Sequence, residues 1–235
     1  MTVTSADQSP ASSIARIAQE LLSDSIEKIT PARVVRLAVE HVPGCSLAGI
    51  TVRARGGDVE TPAATEPLAE TLDRWQYEAD DGPCVNTLDD GAVRQSDDLA
   101  TETRWPAWSP RAAAAGIASV LSIRLATPER VLGSLNLYSR HRAAFDDDSV
   151  DIGAVYARIA SEVLFAAEET SGLRAALESR NTIGIAQGLL MSRYGLTRNQ
   201  SFEVLRRLSQ ERNIRLRDLA AEMVDQGGSF ASEGS

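Results

Sequence analysis

Apolar residues recur at helical spacing between Ile14 and Ile26, with charged residues between them, and this pattern predicts an amphipathic first helix. A second helix should begin at Pro31, because proline suits the first helical turn and the side chain of Thr30 can cap the backbone N–H groups there. The Val42-Pro43-Gly44 sequence should end this helix, since proline and glycine interrupt helical structure.

Between residues 47 and 138, runs of β-branched and other apolar residues separated by turn-forming residues indicate a sheet with helices around it. Strands are predicted at 47–53, near Val59 after a Gly56-Gly57 turn, at 93–96, at 117–125 and at 131–138. Helices are predicted at 68–77, from Pro83 onward, and beside Trp105 and Trp108 as far as Ala115. This mixture of elements predicts an α+β fold.

From Ser149 the pattern stays helical for a long way, and apolar or small residues alternate at spacings of four and three. The series comprises Ile152, Tyr156, Ile159, Val163, Ala166, Thr170, Leu173 and Leu177. Such a heptad seam is typical of parallel coiled coils, so we predict a homodimer with a signalling helix over residues 150–178. The members of the series from Tyr156 to Leu177 would then contact the partner subunit. In the alternative, the first half packs on the sheet and only the second half forms a coil.

Three helical segments separated by two breakers are predicted after Leu173. The first should end at Gly195, the second should run from about Asn199 to Gln210 with Thr197 as its N-cap, and the third should run from about Arg215 to Val224. The residues 1–11, rich in Ser, Thr and Pro, and the tail 227–235 are expected to be disordered.

The composition is that of a globular protein, because hydrophobic residues make up 43% of the sequence, enough to bury a core without covalent links. The two cysteines, Cys45 and Cys84, match no metal-binding spacing and favour a reducing compartment. Neither a secretory signal nor an apolar run approaching ~18 residues is visible. We therefore expect a cytoplasmic protein without a membrane partner.

Charge is distributed unevenly along the chain. The formal net charge is −9, but nine arginines stand against five acidic residues between Arg174 and Met223, a local balance of +4 that leaves −13 for the rest. Salt screens charges beyond ~8–10 Å, so a phosphate would respond to the local cluster more than to the total. An RNA partner is therefore compatible with the acidic composition.

The front of the chain, about residues 12–165, resembles a GAF domain. The resemblance rests on the Asp81-Gly82-Pro83-Cys84 turn, the Trp105/Trp108 pair, the strand from Ser119, and the Gly133-Ser-Leu-Asn-Leu-Tyr138 strand followed by Phe145. It implies a domain for sensing, for dimerisation or for both, with a pocket for a small molecule, although the residues assign no ligand or cofactor. We expect His41 and His141 to be surface or structural residues. Cys84 is expected to be a buried small residue, with a redox-sensitive thiol as the alternative.

Residues 171–226 resemble an ANTAR domain. The sequence LESRNTIGIAQGLLM at 177–191 carries the resemblance, and the segments 194–197, 201–209 and 214–220 follow in the family's order and spacing. Gln187 departs from the family pattern, which more often has lysine there, and one positive charge is lost. The resemblance implies binding of paired RNA stem-loops and transcription antitermination.

The resemblance and the arginine pattern together select the candidate RNA-binding residues. One face of the module's first helix holds Arg180, Gly184, Gln187, Gly188 and Met191, while Ile183, Ile185, Ala186, Leu189 and Leu190 are expected to point inward. The second helix and the segment after it contribute Arg206, Arg207, Ser209, Gln210, Arg212 and Arg215, because arginine grips phosphate and stacks on unpaired bases. A glycine inside a helix costs ~1 kcal/mol, which either close approach of RNA or tight helix packing would explain. Phe202, Leu205 and Leu208 are expected in the core.

The predicted architecture is a GAF-like sheet domain with flanking helices, a long coiled-coil-like helix and a three-helix ANTAR module. We expect a transcription antiterminator that binds a dual-hairpin RNA as a homodimer. A DNA-binding one-component regulator is a second class, since three short helices after a sensor also describe a helix-turn-helix module. A third is an enzyme acting through Cys84, such as a sulfoxide reductase. The sequence contains no phosphate loop, metal-spaced cluster or nucleophile elbow, so we expect no enzyme activity.

Overall fold

The computed structural model describes residues 10–23, 28–53 and 59–227. Ile26, the predicted Gly56-Gly57 turn and nearly all of the two predicted tails lie outside these ranges. Pro10 and Ala11 are helical, so the predicted disorder reaches two residues too far. The physical reason is that Pro10 takes the first helical position, where the N–H that proline lacks is not needed.

Eight α-helices and five strands follow one another within the described ranges. They are α1 (Pro10–Ser23), α2 (Pro31–His41), β1 (Leu47–Arg53), β2 (Val59–Ala64), α3 (Pro67–Ala79), α4 (Pro83–Asp90), β3 (Arg94–Ser96), α5 (Ser109–Ala114), β4 (Ser119–Ala126), β5 (Val131–Ser139), α6 (Asp147–Tyr194), α7 (Arg198–Arg212) and α8 (Leu216–Asp225). The chain divides into two compact units, residues 1–168 and 169–235, and the division falls inside α6. The α+β fold and its sequence of elements are confirmed.

The five strands form one antiparallel sheet in the order β2-β1-β5-β4-β3. The central strand β5 pairs with β1 on one side and with β4 on the other, so that Leu135 lies opposite both Ile50 and Ile123. Most residues of these three strands are buried on both faces, because helices cover both sides of the sheet. Their sequences are nevertheless not continuous apolar runs: in β5, for example, Leu135 and Leu137 alternate with the buried polar residues Ser134 and Asn136.

Helices and connecting segments pack on both faces of the sheet. On one face, α1, α2 and the beginning of α6 share a buried cluster that includes Leu37 and Ile152. On the other face, α3 and α5 pack together with the segment before α5 in a second cluster that includes Leu72. Trp105 and Trp108 belong to this second cluster and are buried, and their rings form a T-shaped contact with centroids 6.2 Å apart and an interplanar angle of 79°. The predicted tryptophan pair is thus a core feature of the first unit.

The beginning of α6 belongs to the core of the sheet domain, which corrects the dimer prediction for two residues. Tyr156 is fully buried, and its hydroxyl donates to the carbonyl oxygen of Val34 at 2.6 Å. Val163 is 8% exposed and packs in the same cluster. The predicted dimer contacts of Tyr156 and Val163 are wrong, because α2 and the sheet already cover the face on which these side chains lie. The sheet-packing alternative applies to this half of the seam.

The second unit has a small core formed by the end of α6 with α7 and α8. Its fully buried side chains are Ala186, Leu190, Leu205, Leu219, Ala220 and Met223. Gly195, with φ +66°, follows the end of α6 as predicted. Thr197 caps α7, and its side chain and that of Gln200 form a reciprocal capping box. Local sequence chemistry therefore fixes where these helices begin and end.

The predicted inward stripe of α6 is confirmed at Ile183, Ala186 and Leu190, whereas Leu189 is half-buried outside this core cluster and Ile185 is exposed. Ala186 and Leu190 are buried and Ile183 packs against them, whereas Ile185 is 46% exposed. The buried positions recur every three or four residues, and Ile185 falls outside that series, which is the geometric reason for its exposure.

Candidate nucleic-acid interface and buried polar network

The part of α6 in the second unit and the first turns of α7 line an open groove of about 740 Å³. Its walls are formed by Ala176, Ser179, Arg180, Ile183, Gly184 and Gln187 from α6, and by Arg198, Asn199, Phe202 and Glu203 from α7. Three predicted RNA-binding residues, Arg180, Gly184 and Gln187, are therefore brought together, since residues three and four apart share one face of a helix. We call this feature the α6–α7 groove.

The glycines of α6 are not explained by packing within the described chain. A Cβ atom added at Gly184 or Gly188 would meet no heavy atom within 4 Å. Both residues are exposed. Tight helix packing, one of the two explanations for these glycines, is therefore unsupported here.

Several of the predicted arginines form ion pairs on the surface of α7 and α8. Arg206 donates to Glu203 at 2.6 Å, and Arg207 donates to Glu211 at 2.7 Å. The guanidinium of Arg212 lies 3.9 Å from the carboxylate of Glu222. Exposed pairs of this kind contribute only ~0–1 kcal/mol each, so a phosphate group can compete for these arginines.

The remaining predicted residues lie outside the α6–α7 groove. Met191 and Gln210 are exposed, and Arg215 is the exposed N-cap residue of α8. Ser209 is half-buried and donates its hydroxyl proton to the carbonyl oxygen of Ile214 at 2.6 Å. This hydroxyl thus holds the turn after α7 and offers an RNA only its oxygen as an acceptor.

Phe202 was expected in the core and is instead 38% exposed, where it lines the α6–α7 groove. Leu205 is fully buried and Leu208 packs on the same cluster, as expected. Ser201 takes the buried position one turn before Leu205, which leaves Phe202 at the edge of the apolar stripe. Arg198 and Asn199 were not among the predicted binding residues, although their place in the first turn of a capped helix marks them as exposed.

The sheet domain contains a buried polar network centred on Asp73 of α3. Its carboxylate oxygen Oδ1 accepts from the Tyr138 hydroxyl at 2.5 Å and from the Asn136 amide at 2.9 Å, both on β5. Oδ2 accepts from the Thr61 hydroxyl at 3.2 Å, and the Tyr77 hydroxyl lies 2.8 Å from Thr61. Five polar side chains from α3, β2 and β5 are thereby linked inside the domain.

Burial raises the pKa of Asp73 from its usual range near 3.8 to about 7, although the hydrogen bonds from Tyr138 and Asn136 act in the opposite direction. The carboxyl group lies tightly against β1, since a Cβ atom at Gly49 would be 2.4 Å from Oδ2. The sequence analysis overlooked this residue. The signal was present, because Asp73 shares the inward face of α3 with Leu72 and Gln76.

Cys84 is fully buried, and burial raises its pKa well above the usual value near 9. Burial likewise raises the pKa of the Cys45 thiol to about 12. Because the thiolate is the reactive form of cysteine, both shifts oppose reactivity. Burial supports the expected role of Cys84 as a small core residue.

Among the described residues, Glu20, Glu40 and His41 form a group whose ligand atoms lie within 4.8 Å of one another. The ring nitrogen Nε2 of His41 lies 2.9 Å from a carboxylate oxygen of Glu20, and His41 itself is buried. This contact agrees with the expected structural role of His41, and His141 is exposed as expected.

Within the described ranges, no helix is both long enough and apolar enough to cross a membrane. Family models match two parts of the sequence: the GAF domain over residues 14–164 and the ANTAR domain over residues 171–224. The two families that the sequence was expected to contain, GAF and ANTAR, are thereby confirmed. No curated protein matches the sequence significantly.

Solved GAF-type structures share the fold of the front domain. A GAF domain from an Acinetobacter phosphoenolpyruvate-protein phosphotransferase superposes with a TM-score of 0.51 at 13% identity, covering 68% of this chain and 94% of that one. The corresponding domain from Coxiella burnetii gives a TM-score of 0.54 at 13% identity, with coverages of 72% and 99%. Free methionine-R-sulfoxide reductase from Neisseria meningitidis, in complex with its substrate, gives 0.55 at 16% identity, with coverages of 72% and 96%. At such identities the likeness concerns the fold alone.

Proposed function

This chain belongs to the GAF domain family and carries an ANTAR domain over residues 171–224, and from this premise we propose that it is an RNA-binding transcription antiterminator. Its two domains are those of sensor-linked regulators of antitermination. In the proposal, the ANTAR domain binds a dual-hairpin RNA and so prevents a terminator hairpin from forming. The GAF domain acts as a sensor, for a small-molecule ligand whose chemistry the residues do not specify.

The single observation that carries the proposal is the ANTAR match over 54 residues that hold an excess of arginine on exposed faces. Arg180, Arg206, Arg207, Arg212 and Arg215 are all exposed. Guanidinium groups bind phosphate through two parallel hydrogen bonds, so a surface of this kind suits a nucleic-acid backbone. Together with Gly184, Gln187, Gly188, Met191, Ser209 and Gln210, these arginines form the proposed RNA-binding surface.

A DNA-binding regulator is the second candidate, and one observation favours it. α7 and α8 are separated by only three residues, with Asn213 in the left-handed conformation at the turn. Short turns between two helices are also typical of helix-turn-helix DNA-binding modules. Duplex DNA therefore has to be included in any binding test.

We expect wild-type protein to select hairpin RNA from a pool with randomised loops and to bind a selected dual hairpin more weakly as salt increases. An Arg206→Ala/Arg212→Ala variant should bind at least about tenfold more weakly, and the slope of log affinity against log salt should fall by about 2, because two phosphate contacts are lost. Fluorescence anisotropy at two salt concentrations measures both quantities.

An Arg140→Ala/Arg142→Ala variant removes the same charge from exposed positions of the front domain and serves as the matched control. It should bind like the wild type. Enrichment of no hairpin above unstructured RNA would disprove RNA recognition. Tighter binding to duplex DNA than to any selected RNA would favour the second candidate.

We further propose that a second copy of the chain covers the later half of the heptad seam. Leu173 and Leu177 are 66% and 67% exposed, although leucine is among the residues most often buried. They lie four residues apart and continue the spacing of Ala166 and Thr170. Ile159 is already half-buried against the core of the front domain, so its contribution to the dimer should be small.

A Leu173→Glu/Leu177→Glu variant should elute as a monomer in size-exclusion chromatography with light scattering, because four carboxylates would meet in the seam. It should also bind a dual-hairpin RNA no more tightly than a single-hairpin RNA. A Ser171→Glu/Ala175→Glu variant places the same charges on the same helix outside the seam and should stay dimeric. A monomeric wild type would rule out the dimer.

A further inference from the structure

We propose that the α6–α7 groove holds one unpaired base of the RNA loop, stacked on the ring of Phe202, while Arg180 and Arg198 bind the phosphates on either side. This inference rests on the proposed RNA binding and adds the residues that read the loop. It gives a role to Phe202, Arg198 and Asn199, which the sequence analysis did not include among the binding residues.

The positive charge of the groove is available to a ligand. Between Arg174 and Arg217, four arginines form ion pairs with neighbouring carboxylates, and Arg174 and Arg193 have other interactions. Of the remaining three, Arg180 and Arg198 line the groove, and neither has an ion pair or side-chain hydrogen bond with any described residue. The carboxylate of Glu203, also in the groove wall, is already occupied by Arg206. An anionic backbone would therefore meet two uncompensated guanidinium groups.

The ring of Phe202 provides an apolar surface beside these charges. Its side chain is 38% exposed, and the half-buried Ile183 lies in the opposite wall of the groove. A base has a π-face whatever its identity, and stacking on an aromatic side chain stabilises the bound base without requiring a particular sequence. A flat, partly apolar ligand with charged groups at its ends thus matches the groove better than a purely ionic one.

Two amides border the same space and can distinguish one base from another. Gln187 donates through Nε2 to the carbonyl oxygen of Arg198 at 3.0 Å, which fixes its orientation and leaves Oε1 as an acceptor. The side-chain amide of Asn199 has no partner among the described residues and can both donate and accept. Base edges present complementary groups, so these amides are the specificity-determining side chains of the groove.

Gly184 keeps the groove open. It lies in the α6 wall, and a Cβ atom there would project into space that no other atom occupies. Any larger side chain at this position would fill part of the room that the proposed base needs. The helical cost of glycine at this position is thereby linked to ligand binding.

The groove selects an unpaired base and not a duplex. In A-form RNA the base faces are stacked inside the helix and the major groove is too narrow for side chains, whereas loop bases can be splayed out. An aromatic ring in the wall of a groove can stack only on a base of the second kind. The proposal therefore places the loop of one hairpin, and not its stem, against Phe202.

The test uses full-length protein and a hairpin RNA selected by the wild type from the pool with randomised loops. Phe202→Ala and Phe202→Leu should each bind this RNA about ten- to a hundredfold more weakly, whereas Phe202→Tyr should bind nearly as well, because only the aromatic variant can stack. Arg180→Ala/Arg198→Ala should bind the selected hairpin more weakly, and its affinity should depend less steeply on salt concentration than that of the wild type. Arg217→Ala, which removes an arginine outside the groove, serves as the charge control.

Substituting each loop nucleotide in turn with an abasic site, or with 2-aminopurine, locates the stacked base. One position should weaken wild-type binding when abasic but have no further effect on Phe202→Ala, and 2-aminopurine at that position should be quenched only by protein with an aromatic residue at 202. If the wild type selects and binds hairpins but the Phe202 and Arg180/Arg198 variants bind within twofold of it, the groove assignment is wrong while RNA binding stands. If the wild type selects no hairpin, the proposed function fails and the groove assignment with it.

Discussion

Replacing Asp73 with asparagine will remove a pH dependence from the stability of the GAF domain. The carboxyl group of Asp73 has a folded-state pKa of about 7, raised by burial, whereas the unfolded chain should titrate near 3.8. Between these values the folded protein holds a proton that the unfolded chain releases. The free energy of unfolding of the wild type should therefore decrease as pH rises from about 4 to about 7, and Asp73 should contribute no further change above that range.

The expected size is large for one residue. Each pH unit inside the window changes the free energy of unfolding by ~1.4 kcal/mol, so the contribution of Asp73 between pH 5 and 7 is on the order of 2–3 kcal/mol. An asparagine keeps the shape of the protonated acid, with an oxygen for Tyr138 and Asn136 and a donor for Thr61. The free energy of unfolding of Asp73→Asn minus that of the wild type should therefore increase between pH 5 and pH 7, because only the wild type loses stability over this range.

Urea unfolding at a series of pH values measures the effect. All three tryptophans, Trp75, Trp105 and Trp108, lie in the first unit, so their fluorescence reports the GAF domain separately. Asp151→Asn, at an exposed position of α6, is the matched control and should run parallel to the wild type. A constant difference between wild type and Asp73→Asn across the whole pH range would mean that Asp73 stays ionised in the fold.

Leu205→Ala is expected to unfold the ANTAR domain while leaving the GAF domain folded. Leu205 is fully buried in a core that, among the described residues of this unit, has six fully buried apolar side chains. Deleting a leucine side chain from such a site costs ~2–5 kcal/mol, which is comparable with the whole stability of a small domain. RNA binding should be lost together with the helices α7 and α8.

Limited proteolysis and tryptophan fluorescence together report the stability of the two domains separately. Leu205→Ala should be cleaved rapidly after residue 169, while the urea transition followed by tryptophan fluorescence should stay unchanged. Ile185→Ala provides a control in the same unit, since this side chain is 46% exposed and its truncation should change stability by less than about 0.5 kcal/mol. Equal protease resistance of the Leu205→Ala variant and the wild type would contradict the assignment of this core.

The sequence predicted most of the fold because its helices and strands have local chemical signals. Thr197 and Gln200 specify a capping box, Gly195 can adopt the positive φ that follows the end of α6, and Pro83 occupies the first turn of α4. These signals depend only on residues near each other in the chain. The beginnings and ends of these helices can therefore be predicted without knowledge of the tertiary structure.

Predictions were wrong where the partner of a side chain decides its environment. Tyr156 fits a heptad seam and fits equally well the stripe of a helix that packs on a sheet, because both patterns have nearly the same spacing. Phe202 has the character of a core residue, yet Ser201 occupies the buried position beside it. Asp73 shows a third case, because a carboxyl group on an inward face is tolerated only where Tyr138 and Asn136 are brought to it from a distant strand.

The position of β5 in the sheet has a consequence for the synthesis of the protein. This strand lies at the centre of the sheet but is the last of the five to leave the ribosome, and its pairing with β1 joins Tyr138 to Leu47. Contacts between residues so far apart in sequence form slowly, because the intervening chain has to be ordered first. β1 can pair with β2 and β4 with β3 before β5 is complete, but the edges of β1 and β4 that pair with β5 stay open until then, and chaperone binding during translation is expected to concentrate on this stage. The helices of the ANTAR domain are joined by short turns and make mostly local contacts, so they should fold faster than the sheet once they have left the ribosome.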